Sequence, residues 1–203
     1  MFWKRRDFFR ALGALAGGGL LPAAQKAEAA APEQVLSDAA AAKAMGPSDF
    51  VERNSYDVVI VGGGISGVCA AIAAARNGAK VALVHERAML GGNSSSEVRL
   101  YPENATAHQV WIKECGIFDE IHTEERVRNH IPYQESLMNA QWDLVLYEWV
   151  KREPNITLYL NTHMHRAAMH EDGSIAAVYC IQLGSERDYF LSAPLFVDSS
   201  GDG

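Results

Sequence analysis

"YDVVIVGGGISGVCAAIAAARNGAKVALVHER", residues 56–87, decides the fold. Residues 56–61 are short, mostly apolar and rich in β-branched side chains, as a parallel strand buried on both faces should be. Gly62, Gly64 and Gly67 follow at the spacing G-x-G-x-x-G. Between a strand and a helix, the first glycine permits a tight turn and the second admits phosphate oxygens to the backbone. The third lets the helix lie close to the strand. Residues 66–77 are alanine-rich and predict that helix. Its N-terminal amides, with Ile65 and Ser66 in the first turn, face an anion. Gly78 ends it. Residues 80–85 predict a second strand with Glu86 at its tip, followed by Arg87. A carboxylate there accepts hydrogen bonds from an adenosine ribose and repels a 2′-phosphate. The chain therefore reads as α/β, with a Rossmann-like dinucleotide-binding unit. The competing reading of the turn is a glycine cluster that merely packs tightly.

Two later stretches bear on which dinucleotide is held. In "ERAMLGGNSSSEVR", residues 86–99, a glycine pair, Gly91 and Gly92, follows Glu86 and runs into Asn93 and Ser94. The chain ends "LFVDSSGDG", an apolar strand over 195–197 leading into Asp198, Ser199, Ser200, Gly201, Asp202 and Gly203. With these three motifs in this order, residues 56–203 resemble the bacterial FAD-dependent oxidoreductases built on the glutathione-reductase type of FAD fold. The resemblance implies that the first glycines and Glu86 hold the ADP half of FAD. It implies that Gly91, Gly92, Asn93 and Ser94 line the path toward the ribityl chain. Gly201 and Asp202 would lie near the pyrophosphate and ribityl hydroxyls, and the backbone at Met164 near the adenine. Ser200 stands where many members carry threonine, which keeps the hydroxyl. The alternatives are an NAD-linked dehydrogenase and a non-catalytic FAD-binding remnant or module completed by a partner chain.

The intervening pattern suits that fold. Residues 134–153 predict an amphipathic helix with Leu137, Leu144, Val145 and Trp149 on one apolar face. Residues 156–160 predict a strand. Turn signals at Asp172-Gly173 and Gly184-Ser185 then divide apolar runs into a β-meander that returns to a parallel strand. The last motif falls at the end of the sequence. The unit is therefore expected to be truncated at its C-terminal side, with the substrate domain on a further stretch of chain.

The 203 residues carry a formal charge of −7 and show no basic stripe, so nucleic acid is not an expected partner. "KRRDFFRALGALAGGGLLPAAQKAEAA", residues 4–30, resembles a twin-arginine signal: Arg5-Arg6, then Phe8-Phe9 and Arg10, with Ala27-Glu28-Ala29 at the cleavage position. Its apolar run, 11–21, is about half of what a helix needs to span a bilayer. Residues 1–29 hold five basic and two acidic side chains, so their removal would take the charge from −7 to −10. The expectation is export by the twin-arginine machinery to a periplasmic or extracytoplasmic location, with no stable membrane span after cleavage. Plain Sec export or an uncleaved anchor is the alternative. Residues 30–55 read as an alanine-rich linker outside the core, and 56–203 as the FAD-binding domain.

For the chemistry, the flavin does most of the work and the protein positions a small-molecule substrate beside it. Glu97 and Arg99 would share a strand face or form a salt bridge. His108, Trp111 and Lys113 lie in a stretch without clear period that could cover the flavin. No catalytic residue is assigned. Disulfide reductases of this fold place a cysteine pair soon after the glycine pair, but Asn93-Ser94-Ser95-Ser96 fills that space, which disfavours dithiol chemistry. Cys69, Cys115 and Cys180 are far apart and read as small buried apolar residues. His163, His165 and His170 lack a partner at ligand spacing, so no metal is expected. The N-x-S/T triplets at Asn93, Asn104 and Asn155 read as incidental.

Overall fold

A computed structural model describes residues 51–102, 115–129, 138 and 141–201. The first strand, β1 (Val51–Ser55), precedes the core strand β2 (Val58–Val61). Helix α1 (Ile65–Arg76) connects β2 to β3 (Val81–Val84). Helices α2 (Ile117–Arg128) and α3 (Gln141–Arg152) follow, then β4 (Ile156–Tyr159), β5 (Thr162–Met169), β6 (Ile175–Gln182), β7 (Arg187–Ser192) and β8 (Leu195–Asp198).

Strands β4, β3, β2 and β8 form a parallel sheet in that order, with Ile60 level with Leu83 on one side and Val197 on the other. Side chains alternate between its faces. Ile60, Val81 and Leu83 meet Val68, Ala71 and Ile72 of α1 and Trp142, Val145, Leu146 and Val150 of α3. Val59, Ala82 and Val84 face the other way, toward Tyr159, Val178, Cys180 and Leu191. A second sheet, β1-β7-β6-β5, covers that face. The predicted meander is its antiparallel part: β5 pairs with β6 and β6 with β7, turning at Gly173 and Gly184. The result is three layers, helices over a parallel sheet over a second sheet, which is the α/β architecture expected from the sequence.

Several local expectations give way. The linker over 30–55 ends five residues early, because Val51–Ser55 pairs in parallel with β7. Residues 52–55 are polar and mostly exposed, and backbone pairing, which leaves no apolar pattern, holds the strand. Helix α3 is described from Gln141, and its core face is Trp142, Val145, Leu146 and Val150, whereas Leu144 is exposed. Leu137 lies outside the described residues.

No element was expected over 117–128, yet α2 forms there with only Ile121 and Glu125 buried. Ion pairs bind it to its neighbours. Glu124 takes Arg128 and Arg152, Arg128 also takes Glu148, and Arg76 of α1 bridges Glu120 and Glu153. Of the cysteines, Cys180 is buried, and burial pushes its thiol up to about 12. Cys69 is half-buried. Cys115 is exposed, against expectation, one residue before the N-cap of α2.

Candidate cofactor site

The carboxyl end of the parallel sheet gathers the motifs. Gly62 turns the chain with φ +107°, its N–H donating to the Val84 carbonyl (2.8 Å). A Cβ on Gly62 would fall 2.3 Å from the Ser199 carbonyl carbon and oxygen. A Cβ on Gly67 would fall 1.8 Å from the Gly62 carbonyl oxygen. These two glycines are demanded by the protein's own backbone. Gly64 is different. Its φ is −66°, which any residue adopts, and a Cβ there would meet nothing within 4 Å. Packing does not account for it, whereas a ligand lying on the turn would.

Gly64 is also the N-cap of α1, without a side-chain cap and without an acidic residue in the first turn. The helical ladder starts with Val68 N–H donating to the Gly64 carbonyl (2.9 Å), so the amides before it point out of the helix end. Ser66 is exposed there, and Ile65 packs back toward the core. This bare, positively polarised end suits a diphosphate.

The glycine pair is laced to the turn. Gly91 N–H donates to the Gly63 carbonyl (2.8 Å), and a Cβ on Gly92 would lie 3.4 Å from the Gly64 Cα. Behind it, Ser94 Oγ donates to the Gly91 carbonyl (2.8 Å) and accepts from Trp142 Nε1 (2.8 Å). Ser95 Oγ donates to the Gly92 carbonyl (2.8 Å), and Asp143 accepts from Ser96 N–H (3.0 Å). The Ser94 side chain is thus buried and committed to holding the loop, while Asn93 is exposed beside Gly92.

At the tip of β3, Glu86 Oε2 lies 3.1 Å from Nδ1 of His163 on β5, and Arg87 pairs with Glu97 (3.3 Å). Met164 follows His163 on β5 and packs against the lower core. Glu97 and Arg99 do not pair, and residues 96–98 are a turn, not a strand. Arg99 has φ +65°, and its Nε donates to the Met138 carbonyl (2.8 Å). The tail reaches the same place: Ser199 N–H donates to the Val61 carbonyl (2.7 Å), and Asp198 Oδ1 accepts from Ser200 N–H (2.8 Å). Ser200 Oγ is buried with no hydrogen-bond partner among the described residues. Gly201 has φ +83°. Asp202, His108, Trp111 and Lys113 lie outside the described residues.

With this geometry in place, the comparisons decide the family. Residues 57–203 match the FAD dependent oxidoreductase family. The chain belongs to that family. FAD is therefore its cofactor, and the bare helix end, the unexplained glycine at 64 and the orphaned Ser200 hydroxyl fit such a group. The chain is 42% identical over 95 residues to digoxin reductase of Eggerthella lenta, a match covering 45% of this chain and 17% of that protein.

Among solved structures the chain resembles THI4 of Thermovibrio ammonificans, with TM-score 0.51 and 19% identity over 84% of this chain and 66% of that one. It also resembles adenylylsulfate reductase of Archaeoglobus fulgidus, with TM-score 0.51 and 16% identity over 73% and 30% of the two chains. These likenesses concern the fold alone.

Sequence reasoning overlooked two members of the site. Trp142 is missing from the apolar face read for its helix, which names Leu137, Leu144, Val145 and Trp149. His85 looked like the last residue of a strand, yet it is buried, accepting from Gly63 N–H at Nδ1 (3.0 Å) with Nε2 2.9 Å from the Met89 carbonyl. Its only sequence signal is its place directly before Glu86.

Proposed function

We propose that these residues form the FAD-holding part of an oxidoreductase that passes hydride or electrons between a small-molecule substrate and the flavin. Gly62, Gly64, Ile65, Ser66 and Gly67 would hold the pyrophosphate, and Glu86 with Arg87 the adenosine end near the Met164 backbone. Gly91, Gly92, Asn93 and Ser94 would flank the ribityl path, with Gly201 and Asp202 closing on the diphosphate from the tail. The bound flavin supplies the redox chemistry. The chain's own residues bind and orient it. The name of the Eggerthella lenta relative favours a reductive direction. Since the chain covers 17% of that protein, the substrate pocket is assigned to no residue here.

The observation that carries this reading is Gly64, a glycine with room for a side chain and no conformational need to lack one. In the intact protein, Gly64→Ala should leave folding unchanged and weaken FAD roughly tenfold or more, as read by flavin fluorescence. Equal affinity in the two proteins, or a folded wild type that takes up no FAD, defeats the proposal.

We also infer export by the twin-arginine route. Arg5→Lys with Arg6→Lys should hold the protein in the cytoplasm on fractionation, and undiminished export of the double variant would reject the route.

A further inference from the structure

We infer that His85 is a positioning residue of the FAD site: one neutral imidazole latches the phosphate turn to the glycine-pair loop, and its protonation releases them. The inference rests on the FAD reading of the turn.

The two hydrogen bonds leave no freedom in the tautomer. Gly63 N–H can only donate, so Nδ1, 3.0 Å away, is the acceptor. The Met89 carbonyl can only accept, so Nε2, 2.9 Å away, carries the proton. His85 is 7% exposed and its ring touches the turn directly, since a Cβ on Gly63 would fall 2.7 Å from His85 Cγ and 2.6 Å from Leu90 Cδ2. Gly63 N–H is thereby held inward while its carbonyl takes Gly91 N–H (2.8 Å). Both peptide planes of Gly63 are fixed, and with them the direction in which the turn presents Gly64. The Met89 bond draws the other loop under the same ring and sets where Gly91 and Gly92 begin.

Protonating His85 would put an N–H on Nδ1 opposite the Gly63 N–H. Two donors would then face each other beside a buried charge, and the bond is lost. Burial dominates the surroundings and lowers the pKa from its ordinary 6.5. The Met89 carbonyl, Glu86 and Glu97 act in the opposite sense, and Arg87 adds to the lowering. His163 of β5 reaches the same strand end through the 3.1 Å contact of its Nδ1 with Glu86 Oε2. A folded-state pKa below 6.5 means that the latched form binds fewer protons than the open one. The contribution is whole above the ordinary value and fades as pH falls through the folded one.

The test uses the intact protein, stripped of flavin and titrated with FAD between about pH 7.5 and about pH 5, spanning the histidine range. Wild-type affinity should fall roughly tenfold or more across that range. His85→Asn places Oδ1 where Nδ1 lies and does not titrate, so it should keep near-neutral affinity within about threefold and flatten the profile. His163→Gln should keep the wild-type slope. A slope retained in His85→Asn, or lost in His163→Gln, overturns the inference. Histidine nitrogen NMR on the apoprotein reads the latch without flavin: a neutral Nε2–H ring at pH above the transition to imidazolium supports it, and an Nδ1–H tautomer there overturns it. A wild type that binds no FAD at any pH fails the FAD reading instead, while the NMR result still stands for the latch.

Discussion

The inner wall of the glycine turn and its outer rim are built on opposite terms. Inside, Gly62 and Gly67 are pressed against Ser199 and against each other so closely that a single carbon cannot be added. On the rim, Gly64 has open space, an ordinary backbone conformation and an uncapped helix end. The wall is explained by the folded chain. The rim is left unexplained by packing, and the proposed diphosphate would account for it. A glycine motif read from sequence merges these two requirements, and the structure separates them residue by residue.

The sharpest way to break the contrast is Gly67→Ala. Its Cβ would sit 1.8 Å from the Gly62 carbonyl oxygen, backbone that cannot swing aside. Overpacking of this kind costs about 3 kcal/mol or more, and denaturant unfolding should show that loss even without flavin. Trp142→Phe comes next. It keeps a ring beside Phe118 and His122 but removes the donor to Ser94 Oγ and some buried volume, for a loss of about 2 kcal/mol.

Farther from the site, Glu124→Gln should cost only about 1 kcal/mol, since its partners lie near the surface. The Arg152 guanidinium, then the Trp149 indole N–H, hold the Glu124 carboxyl down to about 2. A depressed carboxylate pKa gives stability that is complete above its ordinary 4.5 and drains away as pH falls toward 2. The variant should lose that acid-side slope in thermal melts, and an unchanged slope would point to another group. The smallest stability effect belongs to Gly64→Ala, within about 0.5 kcal/mol of wild type, as for a surface substitution that strains nothing. If it unfolds the protein as Gly67→Ala does, the distinction between wall and rim disappears.

The features legible in the sequence were those carried by short-range pattern. The parallel strands β2, β3 and β4, the glycine turn, the meander and the last strand each announce themselves through apolar runs and turn residues. What escaped notice depends on partners remote in the chain. Helix α2 buries little and is held by arginine–glutamate pairs drawn from α1 and α3, which leave no periodic signature. Strand β1 is recruited by backbone pairing and by polar side chains such as Asn54, which donates to the Tyr159 hydroxyl, and Arg53, which lies over the Phe190 ring. Arg99 was paired with the wrong partner because its left-handed conformation turns the chain where a strand was expected. His85 escaped because nothing in "VHER" reveals that an imidazole will point back at a glycine amide.

The contact between Gly62 and Ser199 has a bearing on biogenesis. The wall of the turn is supplied by Ser199, directly after the strand made last among those described, which pairs with the second strand made. A nascent chain emerging from the ribosome carries the full glycine motif long before it carries the residues that press it into shape. If the turn holds the nucleotide as proposed, capture would wait on completion of β8, and loading would be a late event in maturation.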